Sequence, residues 1–199
     1  MRRMTRRSDE SPPPPSPPSP ASQPPAWPVP DPPPWELSDE KLLAEVRIDS
    51  YVASGPGGQK RHKTNAAVRM THEPTRIVAT ATDSRSHREN HIHALRNLRH
   101  KLAMELRREI ADLANYRPPV WFAEYPGLRI NAKNPRYAAA VAEALDVLKA
   151  MQWSLGRAAV MLGVTTTALT RFLHDDPAVW EKVNRVRADL GMKALRWER

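Results

Sequence analysis

The sequence predicts an α+β fold. A small unit with a short mixed sheet and one long amphipathic helix is followed by an all-helical, helix-turn-helix-like unit, and a disordered proline-rich tail precedes both. Three observations carry that expectation. Apolar and polar residues alternate over three short stretches between Glu45 and Thr82. Apolar residues then recur every three or four positions from Ile92, and several helical patterns separated by turn residues follow Asn134.

Of the 21 prolines, 14 fall between Pro12 and Pro34. Such a run has few backbone donors and little to bury, so residues 1–35 read as a solvated polyproline-type tail. The remaining chain of about 165 residues is enough for one ordinary domain or two small ones. Ser38-Asp39-Glu40 reads as a helix cap with acids in the first turn, opening a short helix. From Glu45, the spacing of Val46, Ile48 and Val52 predicts a strand, and Ala66–His72 and Arg76–Thr82 predict two more in a hairpin around Glu73-Pro74-Thr75. Ser86-His87-Arg88-Glu89 fits an S-x-x-E capping box. The helix it opens carries Ile92, Leu95, Leu98, Leu102, Leu106, Ile110 and Leu113 on one stripe, with Arg96, Arg99, Arg107 and Arg108 off it. Pro118-Pro119 predicts its end near Asn115. Residues 117–133 read as a connector whose Trp121, Phe122 and Tyr125 pack against the body. Asn134-Pro135 predicts a helix start, followed by three shorter helices over Ser154–Leu162, Thr165–Leu173 and Pro177–Leu190, the last closed by Gly191.

Composition excludes several classes. The longest apolar run is the six-residue Tyr137–Ala142, far below the roughly 20 residues of a membrane helix. The basic start, MRRMTRR, leads into prolines rather than an apolar core, so no secretory signal is expected and the location is read as cytoplasmic, away from membranes. The absence of cysteine rules out a disulfide framework and thiolate metal sites. The formal net charge is +9, unevenly placed: residues 55–108 hold twelve Lys and Arg against four acids. A basic cluster is often only a solvated face, but an excess of +8 over this stretch favours a polyanion such as RNA or DNA.

Ser54-Gly55-Pro56-Gly57-Gly58-Gln59 lies between a predicted strand and a basic segment. A Gly-Gly pair alone reads as an ordinary turn, and neither a P-loop nor a dinucleotide fingerprint is present. Nothing in the sequence supports a nucleophilic triad. Taken with Ala67-Val68-Arg69, His72-x-Pro74-Thr75, Arg85-Ser86 and Asn90, however, the segment resembles the peptidyl-tRNA hydrolysis domain of class I peptide-chain release factors, over about residues 43–110. The resemblance implies a loop that enters the peptidyl-transferase centre of the large ribosomal subunit and lets water attack the ester joining peptide to tRNA. Gly57, Gly58 and Gln59 would be the catalytic tripeptide. Glycines permit close backbone approach, and the Gln59 N–H would face the reacting oxygens as a preorganised donor. Lys60, Arg61, Lys63, Arg69, Arg85, Arg88, Arg96 and Arg99 would contact RNA. The partners implied are large-subunit rRNA and peptidyl-tRNA, with no cofactor, no metal and a monomeric chain. Hydrolysis would occur only within the ribosome.

Several positions depart from the family pattern. His62 replaces the usual Asn in Lys60-Arg61-His62-Lys63, Arg76 stands where Gly normally follows Pro-Thr, and His87 replaces Gln. A non-glycine residue at a positive-φ turn position costs about 1–2 kcal/mol. With no candidate codon-reading segment ahead of the loop, the chain resembles the short, codon-independent relatives that rescue stalled ribosomes. The expected division is thus a tail at 1–35, a Gly-Gly-Gln domain at 36–116, a connector at 117–133 and a helical domain at 134–199.

In that last domain, residues 154–173 resemble a helix-turn-helix with Gly163 at the turn and Ala158, Leu162, Val164, Leu169 and Phe172 inside. The second helix would present Thr165, Thr166, Thr167, Thr170 and Arg171 to nucleic acid. A packed helical unit that binds none is the plainer reading. The alternative function is a nucleic-acid-binding regulator that works through these helices with a non-catalytic loop. His87 and His91 have the i, i+4 spacing of a metal pair but lack a third ligand.

Overall fold

The protein is described here as a computed structural model over residues 29–51 and 66–197. Helix α1 (Asp39–Ala44) starts at the expected cap, Ser38, whose side chain accepts from Lys41 N–H. Strands β1 (Val46–Tyr51), β2 (Ala67–His72) and β3 (Val78–Ala81) form one sheet in that order. Both pairings are antiparallel, Val46 facing His72 and Val68 facing Ala81, so the expected mixed sheet is corrected to a purely antiparallel one. The β2–β3 connection is too short for the crossover a parallel pair requires.

Helix α2 (His87–Glu105) lies across β2 and β3 and buries Ala94, Leu95, Leu98 and Leu102 against Val68, Met70, Ala79 and Ala81. The proline segment also contributes. Pro33, Pro34 and Trp35, assigned by composition to the solvated tail, are buried, and Trp35 is only 2% exposed within this core. A large aromatic surface outweighs the polyproline character of its neighbours.

Helix α2 ends at Glu105, ten residues before the expected stop, and Leu106 takes an extended conformation (φ −85°, ψ 138°). The reason is tertiary. Arg107 and Arg108 leave the helix to reach two acids on α3 (Tyr137–Ala150), Glu143 and Asp146. The apolar stripe therefore does not run its predicted length: Leu106 is buried, while Ile92 and Leu113 are 50% and 40% exposed.

Helix α3 starts at Tyr137, just beyond Pro135, with the Asn134 side chain accepting from Arg136 N–H. Tyr137 through Leu148 are all buried. A helix buried all round must serve two cores. Ala138, Ala139 and Ala142 face the sheet–α2 core, while Val141, Ala144, Leu145 and Leu148 face a second core with α4 (Leu155–Met161), α5 (Thr166–His174) and α6 (Pro177–Asp189). The connector packs as expected: its two 3₁₀ turns, Val120–Glu124 and Pro126–Leu128, bury Phe122 and Leu128. Among the described residues, no helix is long and apolar enough to cross a membrane.

Candidate nucleic-acid interface

The tripeptide Gly57-Gly58-Gln59, with Lys60, Arg61, His62 and Lys63, lies outside the described residues. Its two roots are within them. On the entering side, Ser50 Oγ sits 2.8 Å from His87 Nε2, joining β1 to the first turn of α2. On the leaving side, the fully buried Asn90 donates to Ala66 O at 2.6 Å and to Ser84 O at 2.8 Å, and accepts from Ser84 N–H at 2.9 Å. One carboxamide therefore ties the end of the loop, the turn before α2 and the helix itself. The capping box takes a modified form. Ser86 Oγ accepts from Glu89 N–H, but the Glu89 carboxylate accepts from the Ser84 hydroxyl, which in turn accepts from Ser86 N–H.

The far end of the hairpin is fixed by His72, 1% exposed, whose ring nitrogens contact Thr75 Oγ1 at 2.8 Å and Glu45 Oε2 at 3.0 Å. Arg76 adopts φ 59°, so the turn does need the left-handed conformation where the family pattern has glycine. His72, Thr75 and Asn90 therefore hold backbone in place.

The cations divide into two groups. Arg69, Arg85, Arg88 and Arg96 are exposed. Arg85, Arg88 and Arg96 make no ion pair among the described residues, and Arg69 is shared only loosely, its Nε 3.5 Å from Asp49 and its guanidinium 5.7 Å from the Tyr51 ring. Arg99 is a correction. It donates to Trp35 O and Leu37 O and pairs with Asp39 at 2.7 Å, so it pins the incoming chain instead of facing a ligand.

Residues 41–118 match the RF-1 domain family. Similar curated proteins are "Peptide chain release factor 1" of Leptothrix cholodnii, 50% identical over 68 residues, and "Peptide chain release factor 2" of Nocardia farcinica, 48% identical over 65. The alignments cover 34% and 33% of this chain, and 19% and 18% of those proteins. Over residues 41–118 the chain is thus similar to the RF-1 domain of these release factors. The chain spans about one fifth of the length of the curated relatives it matches. Within the RF-1 domain, Asn90 and His72 are buried, while Arg69, Arg85, Arg88 and Arg96 stand outside.

Beyond the RF-1 domain, the helices after α3 follow the sequence closely. The α4–α5 turn closes with Val164 N–H on Ala159 O and Gly163 N–H on Val160 O, with Gly163 at φ 68°. This double bond pattern needs a left-handed residue. Thr165 caps α5 by accepting from Ala168 N–H, and Thr170 donates back to Thr166 O. Thr166 and Thr167 are exposed, but Arg171 donates to Gly127 O at 2.7 Å and braces the connector. The one arginine expected to meet nucleic acid from this pair is thus engaged within the fold.

Two clusters escaped the sequence pattern. In the first, Arg107 Nη1 lies 2.9 Å from Asp146, Arg108 Nη2 lies 2.8 Å from Glu143, and Tyr116 donates to Glu143. Burial pushes the Asp146 carboxyl up to about 6, against the pull of Arg107 and Arg108. Burial also lowers the Arg107 value, opposed by Asp146. The signal was present: Glu143 and Asp146 are the only non-apolar residues between Ala138 and Leu148. In the second, Asp176 caps α6 through Ala178 and Val179 N–H, accepts from Tyr137 Oη and lies 2.8 Å from His100 Nε2. Burial works to raise its carboxyl, but His100 and these donors prevail and hold it at about 2.

Proposed function

We propose that the chain promotes hydrolysis of the peptidyl-tRNA ester on the ribosome independently of the codon, using Gly57-Gly58-Gln59. The observation that carries this reading is the RF-1 match over residues 41–118, which contains the tripeptide and the residues that hold its roots. The ester's reaction with water passes through a tetrahedral intermediate bearing negative charge on oxygen, for which fixed N–H donors are an effective catalyst. Gly57 and Gly58 let backbone come close, and the Gln59 N–H supplies the donor while its side chain shapes the space for water. Protons move among water and the groups of the ribosome and tRNA, because the tripeptide contains no general base. Arg69, Arg85, Arg88 and Arg96 meet rRNA phosphates on the outer face, with Lys60, Arg61 and Lys63 beside the loop.

The experiment is peptide release from purified ribosomes carrying peptidyl-tRNA and a stop codon, a sense codon or no codon in the vacant site. Equal rates are expected. Release only at a stop codon would overturn codon independence, and no release in any state would overturn the whole reading. Gly57→Ala and Gly58→Ala should impair release more than Gln59→Ala, since a Cβ obstructs the donor directly.

A further inference from the structure

We propose that the groove between α2 and the loop leading into α3 binds an unpaired RNA nucleotide and its flanking phosphates. This deepens the proposed function and rests on the reading that the outer face of α2 meets RNA. The groove encloses about 830 Å³ and is walled by α2, the Trp35–Asp39 segment and residues 132–139. Its floor is apolar: Ile92 is half exposed there, beside Leu95 and Leu43. Its rims are cationic and come from different parts of the chain. Arg96, one turn above Ile92, belongs to the RF-1 domain, whereas Lys133 and Arg136 lie beyond the family match.

The charges around the groove do not cancel. Asp39 is paired with Arg99, and Asp176 is occupied by Tyr137, His100 and the N-terminus of α6. Glu36 is left opposite Arg96, Lys133 and Arg136. Arg136 is held at the rim with its guanidinium 5.6 Å from the Trp121 ring. A flat cationic face would suit a duplex backbone. An apolar floor between cationic rims instead suits a base seated out of its stack with phosphates on either side. His91, half-buried in the lining, adds a ring on which a base can stack. The groove continues the line of Arg88 and Arg96 along α2, so RNA crossing the RF-1 domain would next meet Lys133 and Arg136.

The test is binding of the full chain to a fluorescent oligouridylate of about 12 nucleotides across a salt series. Lys133→Glu/Arg136→Glu should reduce the slope of log affinity against log salt by about 1.4, or 0.7 for each lost single-strand phosphate contact. Ile92→Asp, at an exposed position, should weaken binding at every salt concentration with melting temperature unchanged. An unaltered slope for Lys133→Glu/Arg136→Glu, while Arg85→Glu/Arg88→Glu lowers it, would overturn the groove but leave the α2 reading standing. No effect of Arg85→Glu/Arg88→Glu on oligouridylate or on large ribosomal subunits would instead overturn the α2 reading. Equal competition by duplex RNA would remove the unpaired nucleotide, and equal competition by polyglutamate would remove RNA as the ligand.

Discussion

The RF-1 domain and the helical segment that follows it both carry an excess of arginine and lysine, but Arg85, Arg88 and Arg96 on one side and Arg171 and Arg187 on the other are used in opposite ways. On the RF-1 side, Arg85, Arg88 and Arg96 stand in solvent with no ion pair among the described residues. On the helical side, Arg171 donates to Gly127 O and Arg187 to Trp153 O, each bracing a backbone carbonyl. Between them, Arg107 and Arg108 leave the end of the RF-1 helix to clasp Asp146 and Glu143 on α3. Net charge alone therefore does not tell which cations are free to meet a polyanion.

Breaking the clasp should have the largest effect on folding. Asp146→Ala leaves the Arg107 guanidinium without its carboxylate in a buried site, which should cost about 3–5 kcal/mol, read by denaturant unfolding. A loss below about 1 kcal/mol would place the clasp with ordinary surface pairs. Asn90→Ala comes next. It strands Ala66 O and two Ser84 backbone groups, and about 1–3 kcal/mol should be lost, together with peptide release. Release surviving a clear drop in melting temperature would separate the root of the loop from its function.

Asp176 sharpens the contrast through pH. Its folded value of about 2 lies below the ordinary 3.8, so its contribution is present above about pH 4 and lost as pH falls toward 2. The difference in melting temperature between wild type and Asp176→Asn should shrink over that window, and a constant difference would contradict the depressed value. Asp146 works in the opposite direction: its raised value means that stability falls as pH rises from about 4 through about 6. The burial cost of the charge exceeds the pull of Arg107 and Arg108, which then depend on it as their partner. The smallest effect is expected at the hairpin turn. Arg76→Gly should stabilise by up to about 1 kcal/mol, because glycine takes φ 59° without a Cβ penalty.

Local chemistry made much of the fold legible. Ser38 caps α1, Gly163 takes the left-handed turn position, and Arg76 takes the positive φ that penalises a residue other than glycine, where the sequence alone also allowed a different turn. The end of α2 was not legible, because the apolar spacing runs on through Leu106 and Ile110. Two acids more than 30 residues away draw the chain off the helix, and periodicity carries no information about them. Arg99 and Trp35 were misplaced for a related reason. A cation off the apolar stripe still points toward whatever chain crosses the helix, here Trp35 and Leu37. The tripeptide was legible as a motif, and its structural support resides in Asn90, whose three bonds join segments that are distant in sequence.

The most direct measurement is the rate of peptide release from stalled ribosomes by the wild-type chain and by Gly58→Ala, with melting temperatures taken in parallel. The account predicts release by the wild type, a loss on the order of 10²–10³ in the variant and matching melting curves. Full activity in Gly58→Ala, with the fold intact, would contradict the assignment of catalysis to the backbone of Gly57-Gly58-Gln59.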